Sequence, residues 1–252
     1  MKQSLIILFA AFLSVCFVSC QKDITDELPA EPTERIVTYI EDATNSPLSG
    51  IDTFAVNYDN DNRVVSLISN SSGGKILYQY NNGNYILEIK QQDHTVITDV
   101  SYINSQNLVD STFQFNDTED TSSTKLVYNA SRQVTQEYFY DYIDGIPTLS
   151  SIDYYEYDGN GNVSKYIEKT PSGDTISTTT FEFSSIENSI LLQPTYRPLP
   201  YKNLPTKQTT TYPGGDQETL TFTYTFDSKN RVIQEQDTSS AGYVIVKKYI
   251  YG

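Results

Sequence analysis

The residues able to do chemistry are few and widely spaced. His94 is the single histidine of the 252-residue chain, set in the polar run Gln91-Gln92-Asp93-His94. A Ser-His-Asp relay could use only that imidazole, yet no serine carries the flanking glycines of a nucleophile elbow. His94 therefore reads as a solvated loop residue. Thirty-two carboxylates offer many pairs for glycoside hydrolysis, which needs two acids at a set separation, but no pair stands out by its spacing. Asp158-x-Asn160-x-Asn162 opens like a calcium loop. It lacks the following glycine, however, and Lys169 stands where a bidentate glutamate should close the site. A hairpin turn explains the same three residues. The expectation is a protein that is not an enzyme, with no catalytic residues, no metal site and no cofactor.

The two cysteines, Cys16 and Cys20, both lie at the end of an N-terminal apolar run from Leu5 to Val18. That run is too short to span a bilayer and has the anatomy of a secretory signal. The chain beyond it can form no internal disulfide. A signal that ends in a small residue followed by cysteine resembles a bacterial lipobox, which makes residues 1–19 a lipoprotein signal peptide and Cys20 the lipidation site. Ser19 suits the cleavage position, whereas Val15 before Cys16 is too bulky. Phe17 departs from the pattern, and ordinary secretion with an incidental cysteine is the alternative. Residues 20–35 follow as a polar, acidic stretch with Pro29 and Pro32, unable to bury a face and so expected to act as a flexible tether. Its Asp23, Asp26 and Glu27 resemble the surface-export signals of Bacteroidota lipoproteins; a plain soluble linker is the other reading.

The formal net charge is −15. Affinity for a duplex or an anionic membrane begins with a basic patch, so no nucleic-acid partner is expected. The apolar content leans on 21 Tyr and 11 Phe, with no Trp. Tyrosine suits a half-wet sheet because its ring can be buried while its hydroxyl stays hydrated.

Residues 36–252 carry the elements that would position any site. In Thr219–Gln236, Leu220, Phe222, Tyr224 and Phe226 alternate with threonines, the period of a strand with one apolar face. Asp227-Ser228-Lys229-Asn230 turns the chain, and Arg231-Val232-Ile233-Gln234 returns. Diverged copies of this hairpin recur around the anchoring aromatics Tyr58, Tyr80, Tyr102, Tyr128, Tyr157 and Phe183, spaced by 22 to 29 residues, which suits two strands and two turns per copy. Asp or Asn opens each turn by bonding its own backbone. The last turn position, Asn62, Gly161 or Asn230, needs a positive φ. Arg132 at that place fits poorly and predicts a different loop. Asn70–Gly74 and Thr170–Asp174 supply opposite turns. Residues 184–206 break the rhythm with Pro194, Pro198, Pro200 and Pro205, and read as an irregular crossing that covers an open end of the sheet. No segment reads as a helix.

Alternating strands are also the signature of a transmembrane barrel. That would require a lipid-facing band of Leu, Val and Phe with Tyr gathered in two girdles, whereas here Tyr occurs throughout and the other face reads as Thr, Glu, Gln and Lys. Asp110-Ser111-Thr112 and Asp174-Thr175-Ile176 resemble a short O-glycosylation sequon of secreted Bacteroidota proteins. The hairpins Tyr157–Val163 and Phe226–Val232 resemble the YD repeats of Rhs-type proteins. Residues 36–252, with Lys202-Asn203-Leu204-Pro205-Thr206-Lys207 followed by two more hairpins, are similar to a Bacteroidota lipoprotein family of unknown function with a porin-like fold. That resemblance implies an outer-membrane address and offers no activity.

The fold expected is all-β: one antiparallel meander of roughly 14 to 16 strands, curled into an open or closed barrel around its own aromatic residues. The functional expectation is a non-catalytic cell-envelope lipoprotein, held to the membrane by its N-terminal lipid and binding a glycan or a protein ligand at the cell surface. A scaffold without a small ligand is the alternative, and a carboxylate-dependent hydrolase the least supported reading.

Overall fold

A computed structural model describes residues 35–45, 50–81, 84–92, 95–116, 119–190, 192 and 201–252. The alternating segments form sixteen strands, and no helix occurs among the described residues. The first four are β1 (Ile36–Asn45), β2 (Ile51–Tyr58), β3 (Val64–Ser69) and β4 (Lys75–Asn81). Next come β5 (Tyr85–Gln92), β6 (Thr95–Ile103), β7 (Val109–Asn116) and β8 (Glu119–Tyr128). They are followed by β9 (Val134–Ile143), β10 (Ile146–Tyr157), β11 (Val163–Lys169) and β12 (Thr175–Glu187). The last are β13 (Asn203–Thr211), β14 (Gln217–Phe226), β15 (Val232–Ser239) and β16 (Val244–Tyr251). Each strand pairs antiparallel with its sequence neighbours, and β16 pairs with β1 through Tyr249↔Tyr39 and Lys247↔Glu41, so the meander is a closed barrel. Closure removes both sheet edges, the groups that would otherwise template aggregation.

One seven-residue device repeats along one end of the barrel. It runs from the last residue of an even-numbered strand to the first of the next, as in Tyr58–Val64, Ile103–Val109, Tyr128–Val134, Tyr157–Val163 and Phe226–Val232. The opening Asp or Asn accepts bonds from the amides two and four residues on; Asp227 Oδ1, for example, takes Lys229 N at 2.8 Å and Arg231 N at 3.0 Å. The fourth turn residue is left-handed: Asn62 at φ 62°, Asn107 at 57°, Gly161 at 86°, Asn230 at 61°. A bulge follows at each, and the returning strand starts on a valine, with Val64, Val109, Val163 and Val232 all 4% exposed or less.

Two expectations are corrected here. Arg132 does not produce a different loop: it takes φ 62° in the same turn, with Asn129 N bonded to Gln133 O at 2.9 Å. Its guanidinium caps Gln106 O at 3.0 Å, a contact that offsets the cost of a left-handed non-glycine. Tyr102 is not an anchoring aromatic. It points outward and is 45% exposed, while Ile103 takes the inner place. Ile103, the last residue of β6, continues the inward row of Asp99 and Ser101, and one residue changes the face.

The tyrosines that do end even strands are tied to the strand before. Tyr58 donates to Ile36 O at 3.0 Å, Tyr80 to Val64 O at 2.8 Å, Tyr157 to Val134 O at 2.9 Å and Tyr251 to Val232 O at 2.9 Å. Tyr128 makes the same bond to Val109 O. Arg63 and Arg231 lie over the rings of Tyr80 and Tyr251 at 4.3 Å. The rings of Tyr58, Tyr80, Tyr128 and Tyr251 join Ile36, Val56, Val64, Val109, Leu126, Leu204 and Val232 in one buried cluster, so the barrel is filled at this end by its described residues.

The described ends of the proline-rich segment lie at the same end. It is not a crossing: β12 and β13 are adjacent, and their ladder reaches Glu187↔Asn203. Pro205 lies inside β13 opposite Phe183, contrary to the expected irregular stretch, at a register shift that spares the ladder bond it cannot make. The expected covering role holds at the described residues. Ile190 and Leu192 pack on the buried cluster, and Tyr201 meets Phe181 and Phe183 at centroid distances of 5.2 and 5.6 Å. Pro194, Pro198 and Pro200 lie outside the described residues.

Candidate functional site

The register fixes which side chains enter the lumen. Directly opposed residues share a face, and a chain of such partners runs Tyr39, Phe54, Ser69 on one side and Tyr39, Tyr249 on the other. Above the apolar end the wall turns polar. Lys90 pairs with Asp99 at 2.8 Å and Glu88 at 3.4 Å, and Gln114 donates to Asp99 at 3.0 Å. Burial alone would lower the Lys90 pKa, but these carboxylates raise it. Lys247 lies between Glu235 (2.8 Å) and Asp237 (2.7 Å). Burial and the Glu235 charge push the Asp237 carboxyl up to about 6 against the pull of Lys247.

Glu137, Asp153, Glu168 and Ser177 are successive cross-strand partners on β9 to β12. Burial first, then the charges of Glu168 and Glu137, push the Asp153 carboxyl up to about 7. These carboxylates face one another on adjacent strands. The Tyr155 hydroxyl fills the space between, 3.0 Å from Glu137 Oε2 and 3.5 Å from Asp153 Oδ2, where a scissile oxygen would have to sit.

At the end away from Arg35 the lumen is hollow. A cavity of about 1080 Å³ opens there, with Tyr39, Phe54, Leu67, Ile76 and Ile97 among its apolar lining and Glu41, Asp52, Lys90 and Gln92 among its polar groups. The floor is aromatic: Tyr39 stacks on Phe54 at 5.6 Å and on Tyr249 at 5.7 Å. Burial and the neighbouring Glu41, to which its hydroxyl donates, raise the Tyr39 pKa. Burial would push Asp52 up as well. Bonds from Ser69 (2.6 Å), Ser71 (2.5 Å) and Ser72 (3.0 Å) outweigh it and hold the carboxyl below its usual range. The arrangement can hold a ligand by ring contact and hydrogen bonds, in a space of the size that takes small molecules.

The residues singled out in the sequence are scattered. Cys20, the tether and His94 lie outside the described residues. Asp158 spends its carboxylate on the turn, accepting Asn160 N and Asn162 N at 2.9 Å and Asn162 Nδ2 at 2.9 Å. Lys169 reaches over the outward Tyr154 ring at 5.4 Å. Ser111 lies half-buried in β7, bonded to Asp110, and Thr175 is exposed at the start of β12. The cup residues and the lumen carboxylates carried no signal in the sequence. Asp52 and Glu41 look like any polar residue on an alternating strand until register turns them inward.

Sixteen antiparallel strands closed on themselves, filled at one end and hollow at the other, define a porin-like barrel. Among solved structures, a porin-like protein from Bacteroides uniformis superposes with a TM-score of 0.62 at 12% identity, over 85% of this chain and 95% of that one. A second, from Bacteroides vulgatus, gives 0.59 at 9% identity over 86% and 98%. At such identities the likeness is one of fold. No protein-family model and no curated protein matches the chain.

Proposed function

We propose that this chain is a non-catalytic cell-envelope lipoprotein: residues 1–19 are its signal, Cys20 its lipidated N-terminus, residues 20–35 its tether, and the barrel a cup for an extracellular glycan. One observation carries the reading: the hollow end is opposite the end where the chain enters. Arg35 and Gly252 bond each other's backbone at the filled end (3.2 and 2.9 Å), while the cavity opens beyond residues 50–52, 71–75, 90–92 and 95–97. Aromatic rings in the floor and amides and carboxylates at the walls suit a polyhydroxylated ligand. The porin-like neighbours agree with an outer-membrane address.

The test uses residues 21–252 on a glycan array and in pull-downs. A saturable glycan hit that is lost in Ile97→Arg, which fills the cup, supports the reading. Protein partners without any glycan binding would replace the glycan with a protein ligand. Binding of neither class would favour the scaffold, a role that the filled end and tyrosine ties would serve equally well. The anchor is tested separately, by mass spectrometry of the N-terminal peptide: Cys20→Ala removes the acyl mass, and an unmodified wild-type Cys20 sinks the lipoprotein assignment.

A further inference from the structure

The outside of the barrel has two unlike flanks. On β12 to β15 the outward positions are Thr178, Thr180, Glu182, Lys207, Thr209, Thr221, Thr223, Gln234 and their like. On β4 to β7 the same rows carry Leu77, Leu87, Ile89, Val100, Tyr102 and Phe113. Three outward aromatics, one per strand, touch there: Tyr85 meets Tyr102 at 6.5 Å and Tyr102 meets Phe113 edge-on at 5.8 Å. No outward position on β4 to β7 is a carboxylate, in a chain with 32 acids. The margin is Lys75, Gln79, Gln91, Ser111 and, on β8, Lys125, and Thr98 lies within the flank between Ile89 and Phe115.

We infer that this flank is a membrane-surface contact, on which the barrel lies against the headgroup–acyl boundary of a bilayer without spanning it. A spanning barrel needs an apolar band all round, and the threonine flank breaks that band. A second copy is the other natural cover. Four strands about 4.8 Å apart and six residues at about 3.3 Å make a patch of about 400 Å², half of the roughly 800 Å² per partner of a stable interface. A bilayer sets no such threshold. Tyr85 and Tyr102 are of the residue type that settles at headgroup level, ring inward and hydroxyl wet. An outward face without carboxylates spares this flank the repulsion that an acidic chain meets at a lipid surface; β13 to β15 share that lack but carry threonine and glutamine where β4 to β7 carry rings and aliphatic side chains. The inference does not depend on the N-terminal tether or on the cup.

The test is flotation of residues 21–252, which lack any acyl chain, with neutral phosphatidylcholine vesicles. The wild type is expected to float with the vesicles, and Tyr102→Glu with Phe113→Glu to cut the floating fraction by about fivefold or more. Thr223→Glu on the opposite flank is expected to change nothing. Unfolding midpoints check that each variant folds, and Tyr102→Gln alone, at the most exposed ring, gives a milder variant with a smaller loss. A wild type that stays at the bottom of the gradient overturns the inference. So does equal flotation of wild type and double variant. A wild-type dimer that the double variant makes monomeric, without flotation, overturns it in favour of a second copy.

Discussion

Asp153 sits between Glu137 and Glu168 on the lumen wall, and its carboxyl is pushed up to about 7, chiefly by burial. The folded chain therefore keeps a proton that the unfolded chain gives up near an ordinary aspartate pKa of about 3.9. Where the folded state binds the extra proton, stability falls as pH rises, so the barrel should lose stability between about pH 4 and pH 7. Asp153→Asn removes that slope. It should raise stability at pH 8 by about 1 to 2 kcal/mol after allowance for solvent screening, and leave pH 4 almost unchanged. Thermal melts at both pH values check it, and equal shifts at both would refute the assignment. The tyrosine ties give a second expectation. Tyr157→Phe loses one bond to Val134 O and should cost about 0.5 to 1.5 kcal/mol by denaturant titration. Phe226, which ends β14, holds the same place with no hydroxyl.

At the scale of elements, the segment before β13 is held by Asn162. Its side chain is fully buried, its Oδ1 accepts both Lys202 N and Asn203 N at 2.8 Å, and its Nδ2 donates to Asp158 at 2.9 Å and Asn203 Oδ1 at 3.0 Å. Asn162→Ala strands two amides, and should cost about 3 kcal/mol. Hydrogen exchange should speed first at Lys202 and Asn203, and uniform loss across the barrel would argue against a local clasp. The turns themselves were legible, because Asp59, Asp158 and Asp227 with Asn62, Gly161 and Asn230 are local chemistry. Arg132 was not, since its carbonyl partner at Gln106 is 26 residues away. Nor was the placement of Pro205, which depended on a register shift between β12 and β13.

At the scale of the molecule, closure rests on β1 and β16, whose pairing joins residues more than 190 positions apart. A chain ending at Ser240 leaves β1 and β15 with bare edges and removes Tyr249 and Tyr251 from the buried cluster. It is expected to collect in insoluble aggregates while the full chain stays soluble, and a soluble monomer of that truncation would show that closure is not required. Two surfaces emerge only at this scale. The cup draws its lining from β1 to β6, and the apolar flank from β4 to β7. Neither set of residues is contiguous in sequence.

The sequence by itself determined the strand class, the hairpin repeat, the turn residues and the N-terminal signal pattern, because each rests on residues within a few positions of one another. The tertiary structure decided which face looks inward, whether the meander closes, and where the lumen is filled. The physical reason is the bulge in the seven-residue turns of the filled end, those after β2, β6, β8, β10 and β14. Every bulge shifts the alternation by one residue, so inside and outside cannot be carried from strand to strand by pattern alone. Val64 and Leu67 of β3, three residues apart, both face in for that reason. Thirty-two acids could be counted from the start, yet only register showed Glu137, Asp153 and Glu168 side by side within the barrel.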